Sequence, residues 1–126
     1  MKPLLKARGV IAKRELEEEF KRCLLEAIDE SMVHILGETA TQAIYFHLEH
    51  NEQMKREDIP DNLEKFLSAL EKIFSVGALV IEKTIMENLY SRLSAKNKKL
   101  SLRYETKEQL NFIDYINKLR SMRITL

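Results

Sequence analysis

At 126 residues with 44% hydrophobic and 33% charged side chains, the chain is long and apolar enough for one packed domain. Three glycines and two prolines leave few turn residues, so the elements should be long, and the abundance of Leu, Glu, Lys and Ala favours helix. The single cysteine, Cys23, excludes an intramolecular disulfide and a cysteine-based zinc site, and the net charge of +1 excludes a uniformly basic nucleic-acid binder.

Residues 1–10 contain Pro3 and Gly9 and show no clear periodicity, which predicts a basic, irregular N-terminal arm. Residues 11–126 form the predicted single helical domain. A long helix is expected over residues 11–36, lined by Leu16, Phe20, Cys23, Leu24, Ala27, Ile28, Met32, Ile35 and Leu36. Glutamates at 15 and 17–19 suit its early turns, and Gly37 suits its end. Cys23, between Phe20 and Leu24, is expected to be a buried thiol.

The apolar sector of this helix is wider than one core face requires. At about 100° per residue, Leu25, Met32 and Leu36 lie nearly opposite Phe20 and Cys23. That strip is the candidate partner-binding surface, for a protein partner or a second copy. The competing expectation is that a C-terminal helix covers it through Phe112, Ile116 and Leu119.

A second helix is expected from Thr39, which with Gln42 has capping-box spacing, and Ala40, Ala43, Ile44, His47 and Leu48 would face inward. Residues 51–60 read as a polar surface loop ended by Pro60. Asp61, with Glu64 three residues on, then reads as the acidic cap of the organising segment, residues 61–93. Leu63, Phe66, Leu67, Leu70, Ile73 and Phe74 recur at helical spacing, and Ile81, Ile85, Leu89 and Leu93 continue it. Between them, residues 76–81 have no polar face, which predicts packing on several sides, with a helix junction near Ser75 to Gly77.

Residues 94–103 turn polar and basic, and residues 100–104 alternate as a short strand would. A last helix is expected over residues 107–121 behind a Thr106/Gln109 capping box. The expected architecture is therefore all-α, a single bundle-like domain of about five helices.

Charge is segregated. Residues 1–14 hold five Lys/Arg and no acid, residues 15–90 hold seven against seventeen acids, and residues 91–126 hold nine against three. Lys96, Lys98, Lys99 and Arg103, beside Tyr104, are the candidate nucleic-acid contacts: cations meet phosphates while a ring stacks. The expected helix after Gly37 carries no Lys or Arg, so it makes a poor recognition helix.

Catalytic and cofactor patterns are not found. No glycine-rich phosphate loop occurs, the carboxylates lie in solvated runs, and His47 with His50 lacks a third ligand at matching spacing. No catalytic, cofactor or metal residue is assigned, and a non-enzymatic, non-membrane, cytoplasmic protein is expected.

Two stretches carry a family likeness. ILGETATQAIYFHLE, residues 35–49, and LEKIFSVGALVIEK, residues 70–83, with Leu89 and Tyr90 beyond, resemble the signatures of a small archaeal family, the Nitrosopumilus-type output domains. The resemblance spans residues 32–93, leaving a basic extension over 94–126, and Ser75 stands where the family pattern has glycine. It implies an all-helical module at the output end of archaeal signalling proteins, with no catalytic residues.

Overall fold

The computed structural model describes residues 2–96 and 111–125, with side chains for 14–95 and 111–121. Among the described residues there are five α-helices, α1 (Lys2–Leu36), α2 (Glu38–Glu52), α3 (Leu63–Phe74), α4 (Ala78–Lys96) and α5 (Phe112–Thr125), and no strand. Short 3-10 turns occupy Arg56–Asp61 and Ser75–Gly77. The all-α bundle is the expected architecture. Lys98, Lys99, Arg103 and Tyr104, the possible strand at 100–104 and the Thr106/Gln109 cap lie outside the described residues.

The N-terminal expectation is corrected: α1 begins at Lys2, so most of the stretch read as irregular is helical. Pro3 falls in the first turn, where a missing N–H costs nothing, and Gly9 lowers helix propensity without ending the helix. α1 is the spine and packs against α4, α2, α5 and the first 3-10 turn.

Phe20, Cys23, Leu24, Ala27, Ile28 and Met32 enter the core from α1, where they meet Phe66 and Leu70 of α3, Ile81, Ile85, Leu89 and Leu93 of α4, and Phe112, Ile116 and Leu119 of α5. α4 runs antiparallel to α1. Arg92 pairs with Glu26 (3.1 Å) and with Glu30, and one turn earlier the Asn88 amide donates to Glu30 at 3.0 Å.

Helix ends differ from the expected caps. Gly37 has φ +93°, which a glycine adopts freely, and its N–H closes α1 on the Val33 carbonyl at 2.8 Å. α2 starts at Glu38, so Thr39 is already inside the first turn and does not cap it; Gly37 is the N-cap, with no side-chain bond. Ala40 and Ala43 face solvent, whereas Thr41, Ile44 and Leu48 are buried. The Thr41 hydroxyl donates to the Gly37 carbonyl at 2.8 Å.

Asp61 likewise does not cap α3. Asn62 is the N-cap residue, and Asp61 instead accepts from Lys21 at 3.3 Å. At α5 the Asn111 side chain accepts the Asp114 N–H at 2.8 Å, an N-cap.

The predicted surface loop over 51–60 is corrected too. Glu52 still belongs to α2, Gln53 ends it in the left-handed conformation, and Met54, Ile59 and Pro60 are buried. Two apolar residues in a polar decapeptide are enough to pull the backbone onto the core.

Candidate functional site

Two polar clusters and one apolar face stand out. The first cluster joins three elements. Asp29 on α1 accepts the Tyr45 hydroxyl of α2 at 2.5 Å and the Arg56 Nε of the 3-10 turn at 2.9 and 3.1 Å, with the guanidinium Nη2 on the same carboxylate. Burial, followed by the bond to Asp29, pushes the Tyr45 hydroxyl far above the usual tyrosine range. The Asp29 hydrogen bond raises Arg56 as well. Each partner answers another, so the cluster is a clamp that fixes the 3-10 turn to the spine.

The second cluster, Arg92 with Glu26, Glu30 and Asn88, lies on the outer seam of α1 and α4. The hydrogen bonds from Asn88 and Arg92 hold the Glu30 carboxyl below the usual range. It sets the register of the two helices.

The apolar face lies at the α3–α4 corner. Ile73, Val76, Leu79 and Val80 are exposed there, with Val76 at 81%, Leu79 at 62% and Val80 at 58%. This overturns the expectation that residues 76–81 pack on several sides, since only Ala78 and Ile81 reach the core. The 3-10 turn between the helices rotates the first turn of α4 so that one side of the run meets solvent.

Ser75 is what makes that corner. Its backbone has φ +53° and ψ −130°, a conformation that L-residues rarely adopt and glycine adopts freely. This is the position at which the resembled family pattern has glycine. Gly77, by contrast, needs no glycine for close approach, since a Cβ there meets only the Phe74 Cβ at an ordinary 3.6 Å.

Against the face lies a groove of about 390 Å³ lined by Glu71, Ser75, Val76, Ala78, Leu79 and Glu82. Glu82 is only 8% exposed, and its Oε2 has no hydrogen-bond partner among the described residues. Burial, followed by the charge of Glu71, raises its carboxyl above the usual range. A carboxylate so placed accepts a cation or a proton donor, and none of the described residues brings one to its Oε2.

The residues assigned from sequence are placed differently. Met32 of the proposed partner strip is fully buried, and Leu25 and Leu36 are half-buried and packed against the core. The strip is thus not free, because α2, α4 and α5 surround α1 on more sides than one helix face would need. Of the basic residues, Lys98, Lys99 and Arg103 lie outside the described residues, as does the Lys96 side chain, though its backbone ends α4.

Cys23 is buried as expected. His50 meets the Phe46 carbonyl at 3.0 Å and stacks on its ring, and His47 meets Asn51 at 2.8 Å. Among the described residues no group of three or more His, Cys, Asp or Glu is placed to hold a metal, and no helix is long and apolar enough to cross a membrane.

The corner was hidden in the sequence by its composition: an all-apolar run reads as core. The signal that marks it is Glu82 directly after the apolar run of residues 76–81. No family model, curated protein or solved structure matches the chain.

Proposed function

We propose that the chain is a non-enzymatic protein-interaction module, serving in the cytoplasm at the output end of archaeal signal transduction, as the family resemblance implies. The observation that carries the reading is the α3–α4 corner. Ile73, Val76, Leu79 and Val80 are all exposed around one helix–turn–helix junction, and Val76 and Leu79 line one groove there. Such a surface in water is unfavourable, and on soluble proteins clustered exposure of this kind marks an interaction site. The polar clusters elsewhere are internally satisfied ties between helices and offer no group poised for chemistry.

A photo-crosslinking residue placed at Val76 in full-length protein, expressed in archaeal cells, tests the reading. Defined protein adducts are expected there and not from the same residue at exposed Glu57. Adducts that include a receiver, a sensor kinase or a transcription factor support the signalling role. Adducts absent from Val76, or equal at both positions, overturn the interaction reading.

A further inference from the structure

The groove at the α3–α4 corner combines hydrocarbon walls with negative charge. Val76, Ala78 and Leu79 line it, and so do two carboxylates, Glu71 and Glu82. Glu71 is exposed, whereas Glu82 is only 8% exposed and its Oε2 meets no partner among the described residues. Lys72 and Lys83, adjacent in sequence, are exposed and neither lines the groove. A buried carboxylate left alone is costly, and a second carboxylate beside it adds to the cost. The group that relieves it carries positive charge.

The surroundings narrow that charge to one chemistry. A divalent metal takes about six oxygen ligands, and among the described residues no third His, Cys, Asp or Glu joins this pair. A guanidinium fork is matched by two oxygens, but Oε2 is the one buried Glu82 oxygen left unmet, and a compact ammonium fits a single oxygen. The walls of valine, alanine and leucine suit the methylene stem that carries an ammonium. The rim then identifies the source. Ile73 and Val80 are exposed at the same corner but do not line the groove. A free amine seated in the groove would leave both in water, whereas a protein surface presenting a lysine among aliphatic side chains covers them.

We propose that the α3–α4 groove is a lysine-recognition site: a partner protein covers Ile73, Val76, Leu79 and Val80 with aliphatic side chains and seats one lysine ammonium on Glu82, its stem along Val76 and Leu79. The proposal rests on the corner being an interaction site and goes further by stating the chemistry of the partner.

Two measurements on full-length protein test it. In amide-resolved NMR titrations, n-pentylammonium chloride should shift the Ala78, Leu79 and Glu82 signals, while n-pentanol and ammonium chloride at equal concentration should not. Glu82→Gln keeps the shape and removes the charge, so it should weaken the n-pentylammonium response about tenfold or more, with unchanged helical circular dichroism. For the source of the lysine, a photo-crosslinking residue replaces Val80, outside the groove lining, in wild type and in Glu82→Gln expressed in archaeal cells. Wild type should give adducts with a different protein, at a segment with a lysine among aliphatic residues, and Glu82→Gln should lower their yield about tenfold.

No shift from n-pentylammonium, equal shifts from n-pentanol, or a response that Glu82→Gln retains would overturn the ammonium site. Adducts that Glu82→Gln leaves undiminished, or that map only to this chain, would overturn the lysine-bearing partner while leaving the corner an interaction site. Absence of adducts from Val80 and Val76 alike would remove both the proposal and the reading it rests on.

Discussion

Two stretches of one helix have nearly the same composition and opposite fates. In α4, Ile81, Ile85, Leu89 and Leu93 lie at one-turn spacing against α1 and are buried, whereas Leu79 and Val80, two and one residues before Ile81, are in water. Hydrophobicity does not distinguish them. What differs is the side of the helix: Ala78 and Ile81 of the same first turn are buried, while Leu79 and Val80 between them lie on the side that meets solvent. Apolar sequence thus states a demand for cover, and the side of the helix that the bundle reaches decides whether the chain itself meets it.

The sharpest way to break this comparison is to truncate one leucine from each stretch. Leu89→Ala removes a fully buried side chain and should cost about 2–5 kcal/mol in urea unfolding, the range for core cavities. Leu79→Ala should lie within about 0.5 kcal/mol of wild type at concentrations where the protein is monomeric. Equal costs would mean the corner is covered within the monomer.

A smaller effect is expected at the clamp that ties the 3-10 turn to the spine. Asp29→Asn keeps the shape but removes the charge that Arg56 and Tyr45 share, and should cost about 1–2 kcal/mol. Its pH signature is separate. The Tyr45 hydroxyl is raised in the folded state, so the unfolded chain ionises first and stability falls as pH rises past about 10. The stability advantage of wild type over Tyr45→Phe should shrink above that pH; an advantage that grows there would reverse the assignment.

Next comes Ser75→Gly, which relieves the φ +53° backbone at an exposed position. Strain of about 1–3 kcal/mol is offset by the greater freedom of glycine in the unfolded chain, for a net gain of about 1 kcal/mol. Gly77→Ala should be neutral or slightly stabilising, since its Cβ meets nothing closer than 3.6 Å. A Ser75→Gly protein that melts lower than wild type would show that the corner is not strained.

The smallest effect is expected at Glu82. Its folded carboxyl is raised, so protonation favours the folded state and stability falls as pH rises from the usual glutamate range. Glu82→Gln should therefore be more stable than wild type near neutral pH and indistinguishable at about pH 4. Equal stability at both values would mean the carboxylate is satisfied.

The helices were legible because their burial follows a period that the sequence carries by itself. Phe20, Leu24, Ile28 and Met32, or Ile81, Ile85 and Leu89, need no knowledge of their partner to be recognised as core. The Ser75 to Gly77 junction was legible as a break. Thr39 and Asp61 misled because cap motifs depend on the first helical residue, and a shift of one or two residues places them inside the turn or before it. The clamp of Asp29, Tyr45 and Arg56 was invisible because its members are 16 and 27 residues apart and no local pattern relates them. The exposed corner was misread because residues 76–81 carry no polar side chain, so no period shows which side the bundle covers.

The shared use of α1 also bears on how the molecule comes apart. Closing the chain between Asp29 and Arg56 spans 27 residues, and closing it between Glu30 and Arg92 spans 62. The entropic difference between loops of those lengths is only about 0.7 kcal/mol, too little to rank the two events in time. The helices on either side of these closures share the buried face of α1, so α2 or α4 cannot leave without exposing what the other still covers. Loss of helical circular dichroism and loss of the Tyr45 environment, followed by its fluorescence against a Tyr45→Phe reference, should therefore coincide along a denaturant titration as one transition.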